Sequence, residues 1–158
     1  MVKIYIIISL FFIGCAKKTT ISKQQSAMIV WKSPNFRYAD MGFISDNGSN
    51  LKIEIYQSGS AIMNLMIGSR HICMSRFECV SKKSFNSTQL SKYYPDKLIE
   101  NIFRGRYIFN GKNIQQESNG FTQNIYQKNR YDIHYSLVNN KIIFRDITNK
   151  IMIKIVKL

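Results

Sequence analysis

Three cysteines are the residues of this 158-residue chain whose chemistry is easiest to assign. Cys73 and Cys79 bracket the segment CMSRFEC. A redox couple usually separates its thiols by two residues, and a zinc site needs more ligands than the nearby His71 supplies. In an oxidising compartment the pair is therefore predicted to form a structural disulfide that closes a short turn.

The third cysteine follows a distinctive N-terminal segment. Lys3 precedes an apolar run from Ile4 to Ile13, and Gly14 stands directly before Cys15. A positive start, a short apolar stretch and a small residue are the layout of a secretory signal peptide. The run is too short for the ~20 residues that a membrane-spanning helix needs. We predict that residues 1–14 are a signal peptide.

The residues Phe12-Ile13-Gly14-Cys15 resemble the lipobox of bacterial lipoproteins. That resemblance implies cleavage before Cys15, acylation of its thiol and acylation of the new N-terminus. It implies a lipid anchor in the cell envelope, and Ala16 after the cysteine implies sorting to the outer membrane, at its periplasmic face. An ordinary cleaved signal and an uncleaved anchor are the alternatives.

The formal net charge of +14 restricts the possible partners. An exported protein does not meet chromosomal DNA, so nucleic acid is not an expected partner. Lys and Arg would attract anionic lipid headgroups or acidic glycans. A chain rich in Ile, Lys and Asn can also owe its charge to biased composition, because its basic residues are spread along the sequence without long runs.

Catalytic patterns are weak in this sequence. Asp132 and His134 lie two apart on a predicted strand, so they share a face, but no Gly-x-Ser-x-Gly nucleophile elbow accompanies them. No glycine-rich phosphate loop follows a predicted strand. We expect a protein that is not an enzyme and has no metal or cofactor, with Asp132 and His134 as a solvated pair.

The order of polar and apolar segments divides the remaining chain in two. Residues 15–26 are predicted to be the lipidated N-terminus and a polar, flexible tether. Residues 27–158 are predicted to form a single β-rich periplasmic domain. Period-two alternation through residues 51–56 and 131–137 indicates half-buried strands. Turns at 46–49, 58–59, 139–140 and 148–149 then predict eight to nine antiparallel strands.

One segment departs from this pattern. Pro95 and Asp96 suit a first helical turn, and Gly105 suits the position after the last turn. Between them, one apolar stripe predicts an amphipathic helix: Leu98, Ile99, Ile102 and Phe103. The predicted fold is mainly β (α+β), a strongly curved antiparallel sheet or half-open barrel with this helix on its concave face. Two further apolar clusters, Phe36 with Tyr38 and Ile108 with Phe109, are expected to line the same interior.

The lipobox, tether, meander, helix and closing meander resemble, in their order, the LolA/LolB-like family of periplasmic carrier and outer-membrane receptor for lipoproteins. The resemblance implies a half-open barrel closed by helices, and a protruding loop with an exposed apolar residue. Met74 or Phe77 could occupy such a loop, and the stripe of Leu98, Ile99, Ile102 and Phe103 could be either a lid or core.

Two functions follow as hypotheses. In the first, the curved sheet binds acyl chains of lipids or of other lipoproteins in a cleft, for lipoprotein localisation or lipid handling. The alternative is a structural or interaction subunit of a cell-envelope assembly, with a filled core and an envelope protein as its partner. The concave residues would be the same in both cases.

Overall fold

The computed structural model describes residues 22–74 and 78–158. Eleven strands and two helices make up this part of the chain. They are β1 (Lys23–Lys32), β2 (Arg37–Asp46), β3 (Leu51–Gln57), β4 (Ser60–Ile67), β5 (His71–Met74), β6 (Glu78–Ser81), α1 (Lys82–Gln89), α2 (Leu98–Arg104), a 3-10 turn at Phe109–Gly111, β7 (Ile114–Glu117), β8 (Gly120–Gln127), β9 (Tyr131–Val138), β10 (Lys141–Asp146) and β11 (Ile151–Lys157).

All eleven strands belong to one antiparallel sheet. Their order is β6-β5-β4-β3-β2-β1-β11-β10-β9-β8-β7. Strands β1 to β6 pair in sequence order as one meander, and strands β7 to β11 pair in sequence order as a second. At the centre β1 pairs with β11 and joins the two meanders, with Ile29 opposite Ile155. The sheet is not closed, because β6 and β7 are its two edges. The connection between them, residues 82–113, therefore passes from one edge to the other.

The prediction of a mainly antiparallel β protein is confirmed, but the predicted eight to nine strands are too few. β5, β6 and β7 have four residues each. Such short strands show too little alternation to be recognised in a sequence. In addition, β1 begins at Lys23, opposite Asp46 of β2, so residues 23–26 are strand where a tether was predicted. Pairing with β2 satisfies backbone groups that local polarity alone would leave to water.

Two hairpins turn where the sequence predicts. Ser58 and Gly59 both have positive φ, 50° and 82°, and so do Asn139 and Asn140, 49° and 60°. Two consecutive residues in the left-handed region fit the tight turn that matches strand twist. Gly59, Asn139 and Asn140 adopt that region at low cost, and for this reason the sequence predicted both turns.

The predicted helix is present as α2, and it ends at Gly105 with φ 69°. It begins at Leu98, three residues after Pro95. The first helix, α1, was not predicted, because its sequence KKSFNSTQ shows no apolar stripe. Ser81 caps it, since its side chain accepts a hydrogen bond from the Ser84 N–H at 3.1 Å. The single predicted helix is thus corrected to two.

The core lies on one face of the sheet. Inward residues of both meanders, such as Ile29, Ile53 and Phe144, are buried in one cluster with the apolar stripe of α2. The rings of Trp31 in β1 and Phe103 in α2 are 5.7 Å apart. Residues 82–113 therefore cover the inward face near the centre of the sheet.

A chain of charges also holds this connection to the sheet. Lys82 Nζ lies 2.6 Å from Glu100 Oε2, and Glu100 Oε1 lies 3.2 Å from Arg104 Nε. Arg104 Nη1 lies 2.5 Å from Asp46 Oδ2 at the end of β2. The side chains of Lys82 and Arg104 are only 4% and 3% exposed, so these cations depend on their carboxylate partners.

Candidate functional site

The antiparallel register gives the sheet two distinct ends. We call the end where β1 starts at Lys23 the near end, since residues 1–22 join there. The opposite end, where β1 stops at Lys32, is the far end. Alternate strand termini meet at each, so the turns at 33–36 and 58–59 and the terminus of β5 at Met74 lie at the far end.

A cavity of about 350 Å³ opens at the far end between β1, β2 and β4–β6. That volume is within the range of about 300–1,000 Å³ usual for small-molecule sites. Its lining is mainly apolar and aromatic: Trp31, Phe36, Tyr38, Ala61, Ile62, Met63, Asn64, Leu65, Met74 and Glu78. We call it the far-end cleft.

The turn after β1 places the aromatic wall of the cleft. Ser33 Oγ accepts a hydrogen bond from the Phe36 N–H at 2.9 Å, which fixes the turn. The Phe36 ring then lies edge-on to Trp31, with centroids 5.3 Å apart, and stacks on Tyr38 at 6.1 Å. The expectation that Phe36 and Tyr38 pack with the interior is confirmed, since both are half-buried against the core.

The predicted disulfide between Cys73 and Cys79 is confirmed. Its cysteines face each other directly across β5 and β6, with Cα atoms 3.9 Å apart. The bridge therefore joins two paired strands as well as closing a short ring. Met74 and Glu78, the neighbouring pair in the same register, line the cleft.

The other predicted site residues lie in different places. Met74 is half-buried in the wall of the cleft, whereas Phe77 and Cys15 lie outside the described residues. The α2 stripe is at most 1% exposed and does not line the cleft. That the stripe acts as a lid stays a prediction. Its side chains are as buried as those of core residues.

Sequence reasoning did not single out Trp31, Met63 or Leu65. Each sits at an inward position of its strand, and strand alternation alone could have marked them as buried. That they meet in one cleft depends on the pairing of β1 with β2 and of β4 with β5, which no local pattern contains.

The hydrogen bonds of Asp132 and His134 in the structure go to other residues and not to each other. His134 Nδ1 lies 2.6 Å from Asn124 Oδ1, on the neighbouring strand. The Asp132 backbone N–H donates to Asp146 Oδ1 at 3.1 Å.

The Tyr94 hydroxyl donates to the other oxygen of Asp146. Burial, reinforced by Asp146, raises the pKa of Tyr94 well above its usual range.

A basic hollow opens at the same end of the sheet as the cleft. It has a volume of about 440 Å³ and is formed by β1, β10 and β11 with their turn. Lys32, Arg145 and Lys150 line it together with the buried Asp146, and none of the three cations takes part in an ion pair within the described residues. Ile147, in the turn, is 61% exposed. Cations around an exposed apolar residue suit an anionic, partly apolar surface.

Other kinds of site can be checked over the same part of the chain. Among residues 22–74 and 78–158, His, Cys, Asp and Glu form no group of three placed to hold a metal ion. No helix in these ranges is both long and apolar enough to cross a membrane. Compared with protein-family models and with curated proteins, the chain matches none.

Proposed function

We propose that this protein is a non-catalytic lipoprotein, anchored in the outer membrane through Cys15, that binds acyl chains of lipids or of other lipoproteins in the far-end cleft. The observation that supports this most is the cleft itself. The inward face is filled by large apolar side chains elsewhere, yet about 350 Å³ stays open at one end. Its walls are apolar and include Met63 and Met74, whose flexible thioethers suit ligands of variable shape.

We further propose that the sheet curves strongly, as a half-open barrel. Eleven strands at ~4.8 Å spacing would make a flat sheet about 48 Å wide. The helices have 8 and 7 residues, which is about 12 and 10 Å of length. They are too short to cover such a width, although inward residues from β3 to β8 are buried. A sheet that curls over its own core resolves this difference.

The position of the cleft fits a tethered binding protein. Residues 1–22 join the near end, whereas the cleft and the basic hollow open at the far end, one ten-residue strand away. A lipid anchor at Cys15 would then leave the opening accessible.

The test uses the full chain, extracted from membranes in digitonin, a detergent without acyl chains. We expect mass spectrometry to detect bound lipid, and a fluorescent fatty-acyl probe to bind. Met63→Glu, which places a carboxylate in the cleft, should abolish probe binding. Met66→Glu is the matched control on the same strand, because Met66 faces outward and is 44% exposed. A lipid-free protein that binds no probe would contradict the proposal.

A specific observation also favours the alternative, an interaction subunit of an envelope assembly. On the outer face of the sheet, Met28 of β1 lies opposite Met41 of β2, with 42% and 41% of each exposed. Phe43, two residues on, is 39% exposed and packs edge-on against Tyr56. This apolar row could contact an envelope protein. Stoichiometric recovery of one partner after gentle crosslinking, lost in Met41→Glu, would favour this function.

A further inference from the structure

We propose that the indole N–H of Trp31 donates a hydrogen bond to the carbonyl oxygen of an acyl ester bound in the far-end cleft. This inference rests on the proposed function and specifies its ligand: acyl esters with a neutral or zwitterionic head, in preference to free fatty acids or plain alkanes. Two observations carry it: a residue that lines the cleft has a buried, unpaired donor, and a carboxylate is among the described lining residues.

The first observation is the state of the Trp31 side chain. Trp31 is fully buried and lines the cleft, and its Nε1 has no hydrogen-bond acceptor among the described residues. Buried polar groups are nearly always paired, so an orphan donor indicates a partner supplied from elsewhere. An indole nitrogen donates only, so the partner must be an acceptor. A hydrocarbon chain has none, whereas an ester carbonyl has one.

Access to this donor requires the cleft to adapt. The indole nitrogen of Trp31 is shielded from solvent. The lining of the cleft includes the half-buried side chains of Phe36, Met63 and Met74. Methionine changes rotamer easily. A chain that enters the cleft would displace these side chains and bring its carbonyl to the N–H, so the bond forms only when the site is occupied.

The second observation is the sign of the charge. Among the described residues, Glu78 is the only charged side chain that lines the cleft, and it forms no ion pair with any of them. Its carboxylate would repel the carboxylate of a free fatty acid. It would tolerate a neutral ester, and it could pair with the ammonium of a zwitterionic head. The geometry and the charge therefore select the same class of ligand.

Trp31 is the one tryptophan of the chain, so the indole N–H signal in an NMR spectrum belongs to this residue. The experiment follows the single indole N–H signal of the ¹⁵N-labelled full chain in digitonin by NMR. It is titrated separately with methyl laurate, laurate and dodecane. We expect methyl laurate to move the indole proton downfield, dodecane to bind without that shift, and laurate to bind more weakly than the ester.

A variant tests the energy of the bond. In displacement of a fluorescent acyl probe, Trp31→Phe keeps an aromatic ring and removes the N–H. The ratio of the affinity for methyl laurate to the affinity for dodecane should be about fivefold larger in the wild type than in this variant. Fivefold is the usual effect of one neutral hydrogen bond. If Trp31→Phe does not fold, the wild-type NMR titration decides. Equal binding of ester and alkane without an indole shift would overturn the inference and leave acyl-chain binding intact, whereas failure of all three probes would overturn both.

Two further arms separate the charge and the source of the ester. Glu78→Gln should bring laurate close to methyl laurate in affinity and leave the ester unchanged; an unchanged preference would contradict the role of Glu78. A diacylglycerol and a synthetic diacylated lipopeptide both carry the same ester. The one that produces the downfield shift identifies membrane lipid or lipoprotein as the accepted source, and failure of both would contradict the inference.

Discussion

Gly42 and Tyr94 show how single residues decide packing in this protein. Gly42 lies in the middle of β2, where a Cβ atom would sit 2.3 Å from the Glu54 carbonyl oxygen and 2.9 Å from the Ile29 side chain. Tyr94, by contrast, is a large side chain with a polar group that is only 5% exposed, and its hydroxyl donates a hydrogen bond to Asp146. Each therefore gives a prediction about stability.

Gly42→Ala should destabilise the fold by about 1–3 kcal/mol, because the added methyl collides with backbone that cannot move without disturbing the β2–β3 pairing. The matched control is Gly68→Ala. There the nearest atoms to a Cβ are 3.4 and 3.6 Å away, which is ordinary contact. Urea unfolding of both variants measures the difference. Equal midpoints for the two variants would contradict this account of β2.

Alkaline pH should destabilise the protein in part through Tyr94. Burial, then Asp146, raises the pKa of Tyr94 in the folded state, so the unfolded chain loses its proton first. Stability is then full below about pH 10 and falls above it, by up to about 1.4 kcal/mol per pH unit for each such tyrosine. Burial also raises the pKa of Tyr135, which adds to the fall.

Tyr94→Phe should therefore be less stable near neutral pH but lose less stability between pH 10 and 11. Unfolding curves in urea across pH 8–11 give both quantities. Tyr126→Phe, at a position 64% exposed, is the control. The same alkaline slope in Tyr94→Phe and in the wild type would show that Tyr94 does not titrate in this way.

At the scale of elements, a disulfide and a chain of ion pairs hold segments that strand pairing alone does not fix in place. The disulfide joins the short edge strands β5 and β6, and the chain of charges from Lys82 to Asp46 ties α1 and α2 to the end of β2. The cysteine pair was predictable from its spacing. The charges were not, because Asp46 and Arg104 are 58 residues apart and only the fold brings them together.

Removal of the disulfide should lower the melting temperature. The closed ring is short, so its effect on the unfolded chain is modest, roughly 2–2.5 kcal/mol. We expect Cys73→Ser/Cys79→Ser to melt several degrees lower than the oxidised wild type and to match the reduced wild type. Identical melting of all three would mean that the bridge contributes nothing to stability.

Glu100→Gln should be more damaging. It leaves the buried Lys82 without a carboxylate partner and the buried Arg104 with Asp46 alone. Breaking a buried pair costs about 3 kcal/mol or more. Glu54→Gln is the control, since Glu54 pairs with the 38% exposed Lys52 and such pairs contribute about 0–1 kcal/mol. Chemical unfolding compares the two. A loss no larger than the control's would mean that the charges are not needed to hold the helices.

At the scale of the whole molecule, the proposal depends on an anchor at one end and a binding cleft at the other. Cys15→Ser should release the protein from membranes and leave the melting temperature unchanged, because Cys15 precedes the described strands. Radiolabelled palmitate fed to the native host should enter the wild type and not this variant. Palmitate in both, or in neither, would contradict an anchor at Cys15.

What the sequence by itself determined is local: the antiparallel β class, the hairpin turns at Ser58-Gly59 and Asn139-Asn140, the helix ending at Gly105 and the pairing of Cys73 with Cys79. Each depends on side-chain alternation, left-handed backbone or close spacing, which neighbouring residues carry. Only the tertiary structure decided the number of strands, the pairing of β1 with β11, the polar helix α1 and the far-end cleft. These depend on contacts between residues far apart in the chain, whose energies no short stretch of sequence contains.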